Sequence, residues 1–232
     1  MRQPMLVGLV ALFAVSAAGN AQSPKAAGDA AKARRNVAIF VHDGVELLDF
    51  AGPGEVFAAA GRSKAFRVYT VAATKDPITS QGFLKVTPEF TLADCPKPDI
   101  VVLPGGATGV PLKDPKVIDW FKATAADAEV VLSVCTGAIL LAKAGLLDGK
   151  EATTHWGSID RLRTAAPKAT VRENVRVVDN GKVVTAAGVS AGIDASLHVV
   201  GRLLGKEAAK DTARYMEYRW TPDDGPAAPG RK

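Results

Sequence analysis

The feature that most restricts the fold of this chain is the alternation of short, largely apolar runs with segments of helical pattern. Residues 37–41, 99–103 and 129–134 are the clearest of these runs. An apolar run without polar alternation is typical of a strand that is buried on both faces, as in parallel sheets covered by helices. The sequence therefore predicts an α/β fold: a doubly wound, mostly parallel sheet with helices on both faces, a three-layer sandwich of flavodoxin-like or Rossmann-like type.

Capping and turn signals in the sequence predict the remaining helices and strands. Asp114 followed by Pro115 is a typical helix start, an N-cap residue and then proline in the first turn. Asn180-Gly181 is typical of a two-residue hairpin turn. The predicted helices are 46–60, 114–128, 136–144, 159–166, 190–204 and 206–218. The other predicted strands are 66–73, an edge hairpin within 78–86, and a hairpin within 171–185.

The N-terminus matches a secretory signal. Arg2 precedes an apolar run from Met5 to Ala18, and small residues follow. The run is shorter than the roughly 20 apolar residues of a membrane span, so export is favoured over an uncleaved membrane anchor. We expect cleavage after Ala21, a periplasmic or secreted location, and no stable membrane association afterwards. The predicted organisation is a signal peptide (1–21), a disordered leader (22–35), one folded domain (36–220) and a flexible tail (221–232).

Composition argues against a nucleic-acid partner. The net charge is +5, but basic and acidic residues are interspersed, and the densest basic run, residues 32–35, lies in the predicted leader. This is a mild bias rather than the clustered basic patch of a nucleic-acid-binding surface.

The strongest chemical signal is Cys135, which stands between a predicted buried strand and a predicted helix. A sharp strand-to-helix turn exposes its apex side chain at the carboxyl edge of the sheet, as a nucleophile elbow does. The small residues Gly137 and Ala138 let such a turn close tightly. Its place at a helix N-terminus predicts a lowered thiol pKa. The alternative is a buried structural cysteine.

The run Leu103-Pro104-Gly105-Gly106 ends a neighbouring strand. We expect the bare N–H groups of Gly105 and Gly106 to stabilise developing negative charge near the thiol. The alternative is an ordinary tight turn.

The stretch SVCTGAILLAKAGLLDGKEATTHW, residues 133–156, resembles the ThiJ/PfpI superfamily, whose fold is that of the class I glutamine amidotransferases. Within it, the chain is most similar to isonitrile hydratases and to the sensor domains of AraC-type regulators. The supporting motifs occur in the family's order: LLDFAGPGEVF (47–57), DIVVLPGG (99–106) and TAAGVSAGIDASLHVV (185–200).

The resemblance implies roles for three residues and a place for a fourth. Cys135 is implied to be a catalytic nucleophile, with Asp49 as the acid beside it and Thr136 also in catalysis. A buried carboxyl beside a thiolate is expected to have a raised pKa, which suits a proton donor; the alternative for Asp49 is a helix cap. His155 is implied to lie close to the thiol. The PfpI-type proteases have histidine directly after the cysteine, so Thr136 argues against a protease.

The remaining histidines and the second cysteine have structural interpretations. His198 lies in an apolar helical stretch and is expected to be a satisfied packing residue, whereas His42 either faces the pocket or caps a turn. Nothing has the spacing of metal ligands, so no metal is expected, and the nucleophilic chemistry that the resemblance implies needs no cofactor. Cys95 precedes one strand and Cys135 follows its neighbour, which separates them by a strand length of about 15 Å. A disulfide needs Cα atoms within roughly 7 Å, so we predict that both thiols are free.

Three functions remain open at this point. The resemblance favours an isonitrile hydratase-like lyase, in which Cys135 forms a thioimidate that water converts to an N-substituted formamide. The second is a non-catalytic periplasmic ligand-binding or redox-sensing domain. The third is aldehyde chemistry of the glyoxalase or deglycase type, which the combination of Asp49 and Thr136 weakens. In each case a small molecule is the expected partner, and the resemblance implies a homodimer.

Overall fold

The computed structural model describes residues 34–221. The predicted signal peptide, the leader up to residue 33 and the tail from residue 222 lie outside the described residues. The first strand begins at Arg35, the last residue of the predicted leader.

The helices and strands follow the predicted order. The helices are α1 (Leu47–Ala59), α2 (Pro115–Asp127), α3 (Gly137–Lys143), α4 (Ile159–Ala165), α5 (Ala191–Leu204) and α6 (Lys206–Tyr215). The strands are β1 (Arg35–Phe40), β2 (Phe66–Ala72), β3 (Ile78–Ser80), β4 (Leu84–Val86), β5 (Phe90–Thr91), β6 (Ile100–Leu103), β7 (Val130–Val134), β8 (Glu151–Ala152), β9 (Thr170–Val171), β10 (Val177–Asp179) and β11 (Val183–Ala186). Short 3₁₀ turns lie at Ala60–Ser63, Pro111–Lys113 and Trp156–Ser158.

The central sheet has the strand order β10-β11-β7-β6-β1-β2-β5. Its strand pairs are parallel except for β10 and β11, which are antiparallel. Val37 pairs with Ile100, which in turn pairs with Val130. Because β1, β6 and β7 are adjacent and parallel, the loops that follow their carboxyl ends meet at one edge of the sheet.

Apolar side chains cover both faces of this sheet. One cluster joins the sheet to α1, α5 and α6 and includes Val37, Ile39, Phe57 and Leu197. The other joins it to α2, α3 and α4 and includes Phe40. This two-sided burial explains the largely apolar runs in the sequence, and it confirms the doubly wound fold.

Local signals were reliable where they were strong. The Asp114 side chain accepts a hydrogen bond from the Lys116 N–H at 2.9 Å, as the predicted cap of α2 requires. β3 and β4 form a separate antiparallel hairpin, as the weaker signal at 78–86 indicated. Within the described residues, no helix has the length and apolar character that a membrane crossing needs.

The predicted hairpin at 171–185 is wrong in extent. Only β10 and β11 pair as a hairpin around Asn180-Gly181. The earlier segment, β9, pairs in parallel with β8 instead. Strands of two residues are too short to leave an alternating pattern, so the sequence did not separate them.

Candidate active site

Cys135 stands at the apex of the predicted elbow. It follows β7 directly and has φ = 57°, in the left-handed region that residues with side chains seldom adopt. Its N–H donates to the Ala186 carbonyl of β11 at 3.2 Å. A Cβ added at Gly137 would lie 1.9 Å from the Leu103 carbonyl oxygen, so the turn closes only with glycine there. The described cysteines, Cys95 and Cys135, are both free, as predicted.

Asp49 lies in the first turn of α1 and is fully buried. It does not cap that helix, because the N-cap position belongs to Glu46, which makes no side-chain capping bond. One oxygen of its carboxyl accepts the Gly105 N–H at 2.9 Å, and the other accepts the Val189 N–H at 2.9 Å. A Cβ added at the same Gly105 would lie 2.9 Å from Cys135 Cβ, so the Asp49 carboxyl and the Cys135 side chain adjoin the same glycine. The structure therefore brings together the acid and the thiol that the sequence singled out.

Burial dominates the electrostatics of this pair. Desolvation raises the pKa of Asp49 to about 7, although the Gly105 and Val189 N–H groups favour the carboxylate. Burial, followed by the negative charge of Asp49, raises the pKa of the Cys135 thiol to about 12. The sequence correctly predicted a raised pKa for Asp49, but its prediction of a lowered pKa for the Cys135 thiol was wrong. The thiol is only 7% exposed, and α3 is a helix of seven residues, so burial outweighs its N-terminal dipole.

Thr136 and the two glycines lock the loop after β6 onto the elbow. The Gly106 N–H donates to Thr136 Oγ1 at 3.0 Å, and this hydroxyl approaches the Gly106 carbonyl at 3.2 Å. The Gly105 N–H is already donated to Asp49. The expectation that Gly105 and Gly106 offer bare N–H groups is therefore wrong: both are donated to side chains of the site itself. The N–H that lowers the pKa of the Cys135 thiol is that of the next residue, Thr136.

His155 lies beside the Cys135 thiol, but the contacts described for residues 34–221 include no hydrogen bond between the two. Its Nδ1 accepts the Gly157 N–H at 3.2 Å, and its ring tilts against Trp156. Cys135 and His155 meet at Gly188: a Cβ added there would lie 3.2 Å from His155 Cδ2 and 3.4 Å from Cys135 Sγ. A side chain at position 188 would therefore press against both His155 and Cys135.

An open cleft of about 410 Å³ lies beside Gly188. Its wall contains Gly188 and Val189 together with His155 and the highly exposed Trp156. Cys135 itself does not line the cleft; Gly188, which does, is the residue that adjoins the sulfur.

Three residues of the site were not assigned roles from the sequence: Thr154, Gly188 and Val189. Val189 has φ = 49°, a strained conformation for a β-branched residue, and its N–H binds Asp49. The Thr154 hydroxyl donates to the Cys135 carbonyl at 2.7 Å. All three lie within motifs that carry the family resemblance, which was the available signal, but the motifs alone do not show which side chain contacts which.

The other histidines lie apart from this chemistry. His198 is satisfied, as expected, but by an acid rather than by apolar packing: its Nε2 lies 2.6 Å from Asp179 Oδ2. His42 is buried after β1, and its Nδ1 lies 2.9 Å from the Asp43 carbonyl oxygen. Among residues 34–221, no group of three or more His, Cys, Asp or Glu side chains is placed to share a metal ion.

The sequence pattern of the DJ-1/PfpI family matches residues 35–202, which span β1 to α5 and include every residue of the site. The chain belongs to the DJ-1/PfpI family. Isonitrile hydratase from Pseudomonas putida is 37% identical over 192 residues, which are 79% of this chain and 82% of that enzyme.

This DJ-1/PfpI protein is also similar to a transcriptional regulator and to a protein of known crystal structure. The HTH-type transcriptional regulator CdhR from Pseudomonas aeruginosa is 27% identical over 168 residues, 72% of this chain but only 50% of the regulator. The crystal structure of a ThiJ/PfpI family protein from Pseudomonas syringae superimposes with a TM-score of 0.73 at 32% identity, covering 82% of this chain and 77% of that one.

Proposed function

We propose that this protein is an isonitrile hydratase-like lyase that adds water to an isonitrile and releases an N-substituted formamide. The observation that carries the proposal is the buried Asp49 carboxyl beside the Cys135 thiol at the elbow, where the negative charge of Asp49 raises the pKa of the thiol. Asp49 has a pKa of about 7, so it changes protonation state readily near neutral pH, as a group that both takes and returns a proton must. The similarity to isonitrile hydratase supports the choice of substrate.

The first half of the reaction adds the thiol across the terminal carbon of the isonitrile. At neutral pH Cys135 is a neutral thiol, because its pKa is about 12. As the sulfur attacks the carbon, the Asp49 carboxylate takes the thiol proton and delivers it to the same carbon. A carbon–sulfur bond and a carbon–hydrogen bond form, and the product is a thioimidate on Cys135. Asp49 ends this step as a carboxylate.

The second half hydrolyses the thioimidate. Asp49 accepts a proton from a water molecule as the water oxygen adds to the thioimidate carbon, and it passes this proton to the imine nitrogen. The carbon–sulfur bond then breaks as the added hydroxyl becomes the formamide carbonyl, and Asp49 transfers the hydroxyl proton to the departing sulfur. The formamide leaves, and the free thiol and the Asp49 carboxylate are restored. The net reaction is the addition of one water to one isonitrile, and it consumes no cofactor.

Thr136 contributes through its backbone and its side chain. Its N–H stabilises negative charge on the sulfur during attack and departure. Its hydroxyl binds the Gly106 peptide and so holds the loop after β6 against the elbow. Thr136 also occupies the position at which PfpI-type proteases have histidine, so peptide hydrolysis is not part of the proposal.

To test this, reduced protein lacking residues 1–21 is incubated with a simple alkyl isonitrile, and the N-substituted formamide is measured by mass spectrometry. We expect product from the wild type and from Cys95→Ala, which removes the other thiol, and loss of at least 100-fold in Cys135→Ala and Asp49→Asn. Folded wild type that makes no formamide from several isonitriles would refute the assignment.

A ligand-binding role is the second candidate. The raised pKa of the Cys135 thiol favours it, because little thiolate exists at neutral pH. The similarity to the regulator CdhR also fits a sensing ancestry. Binding of an isonitrile or another small molecule without turnover would support this candidate. In either role we propose that the protein is exported and acts in the periplasm or outside the cell.

A further inference from the structure

The carbonyl group of Cys135 is held from two sides. The Thr154 hydroxyl donates to it at 2.7 Å, and the Ala138 N–H at the start of α3 donates at 3.3 Å. Thr154 is 1% exposed and lies just beyond β8, in the segment that also carries His155. The shorter of the two bonds to the elbow therefore comes from a side chain on a separate part of the chain.

This carbonyl belongs to the same peptide unit as the Thr136 N–H. The described peptide bonds are all trans, so the C=O and N–H of this planar unit point in opposite directions. The Thr136 N–H lowers the pKa of the Cys135 thiol, as a donor that faces the sulfur does. Any group that fixes the direction of the carbonyl therefore fixes the direction of the N–H that faces the thiol.

The peptide unit needs such a restraint because Cys135 has a positive φ, which a residue with a side chain leaves readily when nothing holds it. Without the Thr154 hydroxyl, the carbonyl keeps only the longer bond from Ala138. Rotation of the peptide unit would then turn the Thr136 N–H away from the sulfur.

We infer that Thr154 is a positioning residue of the proposed active site: its hydroxyl holds the Cys135 carbonyl and thereby directs the Thr136 N–H at the thiol sulfur. The inference rests on the proposed function only in treating Cys135 as the reacting group. In this arrangement the Thr136 N–H stabilises negative charge on the sulfur, and its direction depends on the Thr154 side chain, which does not itself touch the sulfur.

The variant Thr154→Val removes the hydroxyl and keeps the shape of the side chain. Thr154→Ser keeps the hydroxyl, and Thr154→Ala is a second deletion in case valine is not accommodated. The chain also offers a matched control. The neighbouring Thr153 is equally buried, and its hydroxyl donates at 2.9 Å to the Arg172 carbonyl rather than to the elbow. Thr153→Val therefore removes the same kind of bond one residue away.

The readout is the rate at which iodoacetamide alkylates Cys135 at pH 9, without isonitrile, with folding checked by thermal denaturation. We expect Thr154→Val or Thr154→Ala to slow alkylation about tenfold, since a misdirected N–H no longer stabilises the thiolate. Thr154→Ser and Thr153→Val should react within about twofold of the wild type. A folded Thr154→Val or Thr154→Ala with wild-type alkylation overturns the inference, as does an equal loss in Thr153→Val.

The steady-state kinetics of isonitrile hydration provide a second test. If the wild type hydrates isonitriles, Thr154→Val should lower kcat about tenfold and leave KM unchanged, because the N–H acts on charge that develops at sulfur. A rise in KM alone contradicts the inference. Since alkylation is measured without isonitrile, the positioning role is decided by that arm even where the hydratase assignment fails.

Discussion

The pH dependence of Cys135 alkylation follows directly from the burial of the thiol beside Asp49. The pKa of Cys135 is raised to about 12, against 9.0 for an ordinary cysteine. At pH 8 an ordinary cysteine is about 10% thiolate, whereas Cys135 is about 0.01% thiolate, a difference of about 1000-fold. Because the thiolate is the form that reacts, the slope of rate against pH reports this pKa even though burial also lowers the absolute rate.

The assay is iodoacetamide alkylation from pH 7 to 11, with the modified peptide quantified by mass spectrometry. We predict a rate that rises about tenfold per pH unit from pH 8 to 11 without a plateau. Asp49→Asn removes the second largest cause of the raised thiol pKa and should increase the rate at each pH. A wild-type plateau below pH 9, or an unchanged rate in Asp49→Asn, would refute this account of the thiol.

Four further predictions concern activity, access to the thiol, processing and assembly. The value of kcat/KM for an isonitrile should fall about tenfold per pH unit below about pH 7, because the Asp49 carboxylate is the required base and protonation removes it; a pH-independent rate from pH 5 to 8 would contradict this. Gly188→Ala should fold but lose at least tenfold in turnover, since its methyl group would lie 3.4 Å from the Cys135 sulfur, whereas Gly109→Ala, with nothing within 4 Å, should be silent. N-terminal sequencing of exported protein should show cleavage after Ala21, and full-length protein confined to the cytoplasm would disprove the signal. Light scattering of the purified mature protein should give twice the mass of one chain, and a monomer at micromolar concentration would rule out the expected homodimer.

The parallel core of the fold could be predicted because its physical cause is local in the sequence. Strands β1, β6 and β7 are buried on both faces, so each leaves a largely apolar run without polar alternation. The two-residue strands β8 and β9 leave no such pattern, since their pairing depends on segments that come together only in the folded chain. Their absence from the sequence prediction is the reason that the hairpin near residue 171 was drawn too long.

The identity of the site was also accessible, but its hydrogen bonds were not. Cys135 follows from the strand-to-helix pattern, and Asp49 from the family motif. The acceptor of the Gly105 N–H lies 56 residues earlier in the chain, and Val189 binds Asp49 across 140 residues. No local signal reports such contacts, so the glycine N–H groups were expected to be free when both are in use.

The pKa of the thiol shows a second limit. A helix N-terminus lowers a thiol pKa and burial raises it, so the outcome depends on their relative size. The sequence reveals the helix but not the 7% exposure of Cys135 or the distance to the Asp49 charge. The predicted direction of the thiol pKa shift was therefore wrong, although the sequence indicated both the helix and, as the alternative, a buried cysteine.

The most direct test of the central claim is the mass of the protein during turnover. Wild type mixed with excess isonitrile and quenched within a turnover should carry an adduct equal in mass to the isonitrile, located on the peptide that contains Cys135, and the adduct should disappear as formamide accumulates. Formamide that appears without this adduct, or an adduct found on Cys95 alone, would contradict the assignment of Cys135 as the nucleophile of the reaction.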